Sequence, residues 1–184
     1  VMDAEHGEPI ALIEGKSVTA LRTGACSGLA TKLLSRKESK KAVIFGAGEQ
    51  AKTQIEAISC VRELESIKVI DPLEEKILAL CEGLDPLVQP GSPQDLENAD
   101  IICTVTTAEK PLFDYNQIKT GVHINAVGSH KPDTRELSTA LIQNSKVYVD
   151  HLPASKVEAG NILIPISEEV YNWDKIEGEL GQLV

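Results

Sequence analysis

The residues best suited to chemistry form a glycine turn, GAGEQA at positions 46–51, directly after the apolar run 42–45. Gly46 permits a tight turn, and Gly48 lets the backbone approach a diphosphate with no side chain in between. Ala51 stands where a small residue allows the following helix to pack on the strand. This order of strand, glycines and helix is typical of a dinucleotide-binding turn.

Polar groups on both sides of the turn also suit a dinucleotide. The N–H groups at Glu49 and Gln50, together with the dipole of the helix that starts there, favour phosphate groups. Asp71 closes the next apolar run, 67–70, and a carboxylate at that point accepts hydrogen bonds from ribose hydroxyls. The same carboxylate repels a 2′-phosphate, so the sequence predicts NAD(H) rather than NADP(H) as the cofactor.

Two other interpretations of the turn stay open when the residues are taken alone. Residues 46–48 could form a plain strand-to-helix turn, with Asp71 as a helix cap before Pro72. A methyltransferase that binds S-adenosylmethionine also uses a glycine turn and a ribose-binding acid. Nothing later in the chain supports that class.

The apolar runs around the turn predict an α/β fold. Short continuous runs, typical of strands buried on both faces of a sheet, alternate with segments of helical periodicity. Ser17 is the expected N-cap of the first helix. The alternation predicts a Rossmann-type, doubly wound parallel sheet with right-handed crossovers. Strands are expected at 10–13, 42–45, 67–70, 86–88, 100–105, 122–127 and 146–149, and helices at 17–34, 50–61 and 73–81.

Composition excludes several classes of function. The 184 residues are 42% hydrophobic and 25% charged, as in an ordinary globular protein with one core and part of a second domain. The net charge of −10, without a face of clustered Lys and Arg, argues against a nucleic-acid partner. No apolar run approaches the roughly 20 residues of a membrane span. Four cysteines without paired spacing favour reduced thiols and a cytoplasmic protein.

Five blocks of sequence resemble the ornithine cyclodeaminase/mu-crystallin family, in the family's order. The resemblance implies an NAD-binding Rossmann domain at 37–165. It also implies a second, discontinuous domain that binds substrate and forms a homodimer. Residues 1–36 would belong to that second domain and its connecting helix, and residues 166–184 would begin the return to it. The blocks are DAEHGEPIALIEG at 3–15, TALRTGA at 19–25, GAGEQA at 46–51, INAVG at 124–128 and VYVD at 147–150.

The resemblance also implies roles for single residues. Arg22 matches the family arginine that holds the carboxylate of a small amino or imino acid, a role that suits the guanidinium fork. Without the family context it is a surface arginine on a helix. Thr104 and Thr106 match the place where family members contact the adenosine and ribose side of the cofactor, although the same residues could simply end a strand.

The segment after the fifth strand of the sheet departs from the cyclodeaminase pattern. Val127, Gly128 and Ser129 end that strand at the carboxyl edge of the sheet, where ligands of such folds collect. His130 stands where cyclodeaminases have their catalytic aspartate. A histidine can do acid–base chemistry near neutral pH, or it can be a bystander on a loop.

Loss of the aspartate favours an NAD-dependent reductase or amino-acid dehydrogenase over an ornithine cyclodeaminase. A nucleotide-binding protein without turnover is the third alternative. The resemblance further implies that the family's catalytic lysine and a second carboxylate-binding arginine lie upstream of Val1. We therefore expect this chain to hold the cofactor but to carry only part of the substrate site.

Overall fold

Five parallel strands form the central sheet of the computed structural model, which describes residues 1–184. Their spatial order is β3-β2-β1-β4-β5. The order reverses between β1 and β4, and ligands of open α/β sheets bind at the carboxyl ends of the strands next to such a reversal. The strands are β1 (Lys41–Phe45), β2 (Ser66–Ile70), β3 (Val88–Pro90), β4 (Ile101–Thr104) and β5 (His123–Ala126).

Helices and loops cover both faces of the sheet. Along β1, Ala42 and Ile44 join an apolar cluster with α2 and α3, whereas Val43 and Phe45 join a second cluster with α4 and α6. The sheet is therefore buried on both faces, as its continuous apolar strands predict. The helices are α1 (Gly15–Leu34), α2 (Glu49–Ser59), α3 (Glu74–Glu82), α4 (Thr139–Gln143), α5 (Leu152–Glu158) and α6 (Gly160–Ser167).

The predicted doubly wound parallel sheet is confirmed, and short 3₁₀ helices replace some of its connections. One 3₁₀ helix precedes β4 and another precedes β5, where the sequence shows no helical periodicity. None of the helices combines the length and the apolar character that spanning a bilayer requires. The 3₁₀ helices are Pro93–Asn98, Tyr115–Gln117, Trp173–Lys175 and Leu180–Leu183.

Two predictions about local structure and one about membership of the main sheet were wrong. Residues 10–13 form no strand, because the apolar run has no neighbouring strand to pair with and the side chain of Leu12 is fully exposed. Glu14, not Ser17, caps α1: its carboxylate accepts hydrogen bonds from the backbone N–H groups of Lys16 and Ser17. The last predicted strand, β6 (Val147–Val149), lies outside the main sheet and pairs with β7 (Ile176–Glu179).

Helix α1 packs on α2 through glycines rather than through its leucines. A Cβ atom at Gly24 would lie 2.7 Å from the carbonyl oxygen of Thr53, and one at Gly28 would lie 3.1 Å from that of Ala57. The apolar side chain of Leu21, in contrast, is 70% exposed. The backbones of the two helices are thus in direct contact, and the first half of α1 lies beside the start of α2.

The other end of α1 is joined to β5 by buried polar groups. The amide nitrogen of Asn125 donates to the Thr31 hydroxyl at 2.9 Å, and the amide oxygen of Asn125 lies 3.0 Å from His123 Nε2. Burial lowers the pKa of the His123 imidazole; the hydrogen bond to Asn125 acts in the opposite direction, and the Arg62 guanidinium lowers this pKa further. Burial and the Arg62 guanidinium therefore favour the neutral form of the His123 ring.

Replacing Gly24 with alanine should destabilise the protein. The new methyl group meets the backbone of Thr53, so we expect the free energy of unfolding in urea to fall by about 1–3 kcal/mol. Gly15→Ala is the matched control, because a Cβ atom there meets no atom within 4 Å. Equal effects of the two substitutions would contradict the close contact between α1 and α2.

Protonation of His123 at acid pH should lower the free energy of unfolding. Because its pKa in the folded chain lies below the ordinary value of about 6.5, the unfolded chain binds the proton more readily. This contribution is complete above about pH 6.5 and is lost as the pH falls. We expect His123→Gln to flatten the dependence of unfolding free energy on pH between about 7 and 5. The exposed His151→Gln is the control, and an unchanged slope in His123→Gln would refute the assignment.

Candidate cofactor-binding site

The glycine turn after β1 is open on one side and closely packed on the other. Gly46 has φ of 96°, and a Cβ atom on it would lie 2.6 Å from the carbonyl oxygen of Val105, so only glycine fits. A Cβ atom on Gly48 would meet no atom within 4 Å. The turn therefore leaves space above Gly48 at the crevice between β1 and β4.

The start of α2 is ready to accept an anion. No side chain caps the helix, and the N–H groups of Gly48, Glu49 and Gln50 have no acceptor within the chain. Unpaired N–H groups at a helix start, together with the helix dipole, form an anion-binding site. This arrangement suits a diphosphate at the predicted position.

Asp71 follows β2 and is bonded directly to the glycine turn. Its two carboxylate oxygens accept hydrogen bonds from the N–H groups of Ala47 and Leu73, each at 2.9 Å. Each oxygen keeps a further lone pair, and the side chain is partly exposed at the crevice. Because Leu73 is the N-cap of α3 and no side chain caps that helix, the alternative of Asp71 as a simple helix cap does not describe the structure.

Lys16 is a residue of this site that the sequence analysis missed. Its ammonium nitrogen lies 2.7 Å from a carboxylate oxygen of Glu49, across the contact between α1 and α2. The Glu49 carboxylate raises the pKa of Lys16 by hydrogen bonding and by charge. A negative side chain at the start of α2 would repel a diphosphate, and Lys16 offsets that charge. No pattern along the chain indicates this pair, because its two residues belong to different helices.

Glu136 is the second residue that the sequence analysis missed. Its side chain is hydrogen-bonded to residues at or just after the ends of both β4 and β5. Its carboxylate is completely buried and accepts four hydrogen bonds. The hydroxyl of Thr104 and the N–H of Gly128 donate to one oxygen at 2.7 and 2.8 Å. The N–H and the hydroxyl of Thr106 donate to the other at 2.8 and 2.7 Å. The expected cofactor residues Thr104, Thr106 and Gly128 thus converge on one acid.

The hydrogen bonds to Glu136 also limit the exposure of Thr104 and Thr106. Thr104 is completely buried, whereas Thr106 is partly exposed at the carboxyl edge of the sheet. The Thr104 hydroxyl is therefore directed at Glu136 rather than into the crevice. The contact of the two threonines with the cofactor stays a prediction.

The loop after β5 is closely held at its base and exposed at its tip. The N–H groups of Val127 and Gly128 donate to the carbonyl of Thr104 at 2.9 and 3.1 Å. The Ser129 hydroxyl donates to a carbonyl of the same loop. His130 is exposed, and its Nδ1 lies 2.9 Å from the carbonyl oxygen of Gly128. The catalytic role of His130 stays a prediction.

Arg22 lies apart from these groups. It is exposed on α1 and forms no hydrogen bond or ion pair. Two residues later, Gly24 fixes the helix against α2, so the position of Arg22 relative to the glycine turn is set by the helix contact. The structure therefore collects Gly46, Gly48 and Asp71 into one crevice and leaves the guanidinium of Arg22 free.

A parallel sheet of this strand order, with a glycine turn after β1 and an acid after β2, defines the dinucleotide-binding class of α/β folds. The sequence pattern of the ornithine cyclodeaminase/mu-crystallin family matches residues 1–184, and the chain belongs to that family. The family assigned from the sequence blocks is thereby confirmed.

Three relatives show what the chain resembles. It is 40% identical over 189 aligned residues to a delta(1)-pyrroline-2-carboxylate reductase of Bacillus thuringiensis subsp. konkukian (strain 97-27), covering 99% of this chain and 58% of that protein. It is 32% identical over 185 residues to an alanine dehydrogenase of Archaeoglobus fulgidus, covering 98% of this chain and 56% of that protein.

The third relative is a solved structure. Delta(1)-pyrroline-2-carboxylate reductase of Thermococcus litoralis, in complex with NADH and L-proline, matches with a TM-score of 0.89 and 37% identity. The match covers 98% of this chain and 58% of that one. The chain thus spans somewhat more than half the length of the relatives that it matches.

Removing the charge of Lys16 should weaken the binding of NADH, the cofactor that the sequence predicts. In Lys16→Gln the Glu49 carboxylate is left unbalanced beside the predicted position of the diphosphate. Because both side chains are largely exposed, we expect the Kd to rise about twofold to fourfold in calorimetric titration. Lys52→Gln is the control, because Lys52 forms a comparable exposed pair with Glu56 farther along α2. Equal effects of the two substitutions would show that Lys16 has no special place in the site.

Proposed function

We propose that this chain is the cofactor-binding part of an NAD-dependent oxidoreductase that transfers hydride between nicotinamide and a small amino or imino acid. The observation that carries the proposal is the pairing of an open, uncapped helix start with an acid bonded to the same turn. The diphosphate would lie on the N–H groups of Gly48, Glu49 and Gln50. The adenosine ribose would lie against the free lone pairs of Asp71.

The relatives support both the cofactor and the substrate class. The Thermococcus litoralis reductase was solved with NADH and L-proline, and an archaeal alanine dehydrogenase was solved as a dimer with bound NAD. Both enzymes act on small compounds with a carboxylate beside the reacting carbon. When bound, the nicotinamide ring supplies or accepts the hydride, while the protein supplies placement and charge.

Two exposed side chains are available for the substrate. Arg22 carries an unpaired guanidinium, and we propose that it holds the substrate carboxylate. The carbonyl of Gly128 can only accept a hydrogen bond, so Nδ1 of His130 carries a hydrogen. The other ring nitrogen, Nε2, has no hydrogen-bond partner in the chain. His130 is therefore suited to exchange a proton with the substrate nitrogen at Nε2.

The proposal extends to the organisation of the whole protein. We propose that residues 1–36 and 166–184 belong to a substrate and dimerisation domain, and that the intact enzyme is a cytoplasmic homodimer. Large apolar side chains are exposed in the first of these segments, which is consistent with a surface that another part of the protein covers. These side chains are Val1, Met2, Ile10, Leu12, Ile13, Val18, Leu21 and Leu33.

The choice of cofactor can be tested with a pair of aspartates. We expect this chain to bind NADH at least about tenfold more tightly than NADPH in calorimetric titration, because on this proposal the Asp71 carboxylate would repel a 2′-phosphate. Asp71→Ser should narrow that difference. Asp85→Ser is the matched control: Asp85 also precedes Pro-Leu and accepts the N–H of Leu87 at 2.9 Å. Tighter binding of NADPH than of NADH by the unaltered chain would contradict the role of Asp71.

The reaction itself is tested with the intact protein. We expect NADH to be consumed when a cyclic imino acid such as delta(1)-pyrroline-2-carboxylate is added. Conversion of ornithine into proline and ammonia without net oxidation of NADH would establish the cyclodeaminase alternative instead. Binding of NADH without turnover of any amino or imino acid would establish a binding protein.

A further inference from the structure

The buried acid Glu136 has no positive partner. It belongs to none of the ion pairs of the chain, and its four hydrogen-bond donors are two backbone N–H groups and two hydroxyls. Buried carboxylates are ordinarily balanced by a cation. The charge on Glu136 is instead spread over neutral dipoles.

The arrangement suits a carboxylate and no other group of that shape. Each oxygen accepts one backbone N–H, from Thr106 on one side and from Gly128 on the other. A glutamine would set its NH₂ group against one of these N–H groups in either orientation. Burying a carboxylate without a cation costs free energy. The specific hydrogen bonds of Glu136 therefore indicate a role other than packing.

The main chain of Glu136 is held as firmly as its side chain. The N–H groups of Glu136 and Leu137 both donate to the side-chain oxygen of Asn161, at 2.9 and 3.0 Å. The N–H of Leu112 donates to the carbonyl of Glu136 at 2.9 Å. There is also no room for a side chain on Gly128, where a Cβ atom would overlap the Thr106 carbonyl oxygen and the Glu136 carboxylate. The negative charge is thus fixed in position.

That position lies under one half of the crevice. Asp71 is at the end of β2, and the glycine turn is at the end of β1. The donors to Glu136 follow β4 and β5, on the other side of β1 in the sheet order. On the proposed function, with the ribose at Asp71 and the diphosphate on α2, the nicotinamide half of the cofactor extends over Thr106 and Gly128.

We propose that Glu136 is a buried fixed charge that favours the oxidised form of the cofactor at this end of the crevice. The oxidised nicotinamide ring carries a positive charge that the reduced ring lacks. A fixed anion in a poorly polarisable interior stabilises such a charge at distances where a solvated anion would not. Glu136 acts through its charge and not by direct contact with the ring, and the inference rests on the proposed function.

The test is the ratio of the Kd values of NAD⁺ and NADH, measured by calorimetry on this chain and two variants. Glu136→Gln removes the charge and keeps the shape, and we expect it to raise the Kd of NAD⁺ about tenfold more than that of NADH. Thr106→Val keeps the charge and removes one donor. It should raise both Kd values by a similar factor and leave their ratio within about twofold.

The outcomes separate the two proposals. If the unaltered chain binds neither nucleotide, the proposed function fails. If it binds both, and Glu136→Gln weakens both equally, Glu136 is only structural and the inference is overturned. Should Glu136→Gln not fold, Thr106→Val decides alone: a ratio that shifts with the loss of one hydrogen bond would assign the preference to geometry and reject the role of the charge.

Discussion

The left-handed turn at Gly46 is the constraint on which the rest of the site depends. Its N–H donates to the carbonyl of Ile70 at the end of β2, and its Cα faces the carbonyl of Val105 just after β4. The turn is therefore held between the two strands that flank β1. This places the start of α2 over the crevice and brings the N–H of Ala47 to the carboxylate of Asp71. A larger residue at position 46 would displace the turn, the start of α2 and the hydrogen bond between Ala47 and Asp71 together.

The candidate diphosphate site contains or adjoins three acidic residues. The structure accommodates the charge of each one in a different way. The oxygens of Asp71 are partly satisfied by backbone N–H groups, which leaves lone pairs that can accept hydrogen bonds from hydroxyl groups. Glu49 is offset by Lys16 from the neighbouring helix. Glu136 is removed from solvent beneath the opposite end of the crevice. The net charge of −10 is therefore compatible with an anionic ligand, because local N–H groups rather than the overall charge determine its binding.

The sequence predicts those parts of the fold that depend on local pattern. The buried strands β1 and β4 are visible as continuous apolar runs, and β2 and β5 as apolar runs that polar residues interrupt. The glycine turn is recognisable because it lies between a strand and a helix. The run at 10–13 has the same composition but no partner strand, which a local pattern cannot reveal. Glu136 lies in a polar stretch without periodicity, and its burial arises only when the ends of β4 and β5 meet. Lys16 and Glu49 are likewise brought together by the packing of two helices.

Helix α1 links the two halves of the proposed chemistry. Its buried face consists of Gly24, Ser27, Gly28 and Thr31, so it contacts α2 by its backbone and β5 by a hydroxyl. A contact through small residues tolerates little sliding, because any side chain added there meets the neighbouring backbone. Arg22, two residues before this contact begins, is thereby held at a set distance from the start of α2. A substrate carboxylate bound by Arg22 would inherit that distance, and the separation between substrate and cofactor would follow from the packing of two helices rather than from a flexible ion pair.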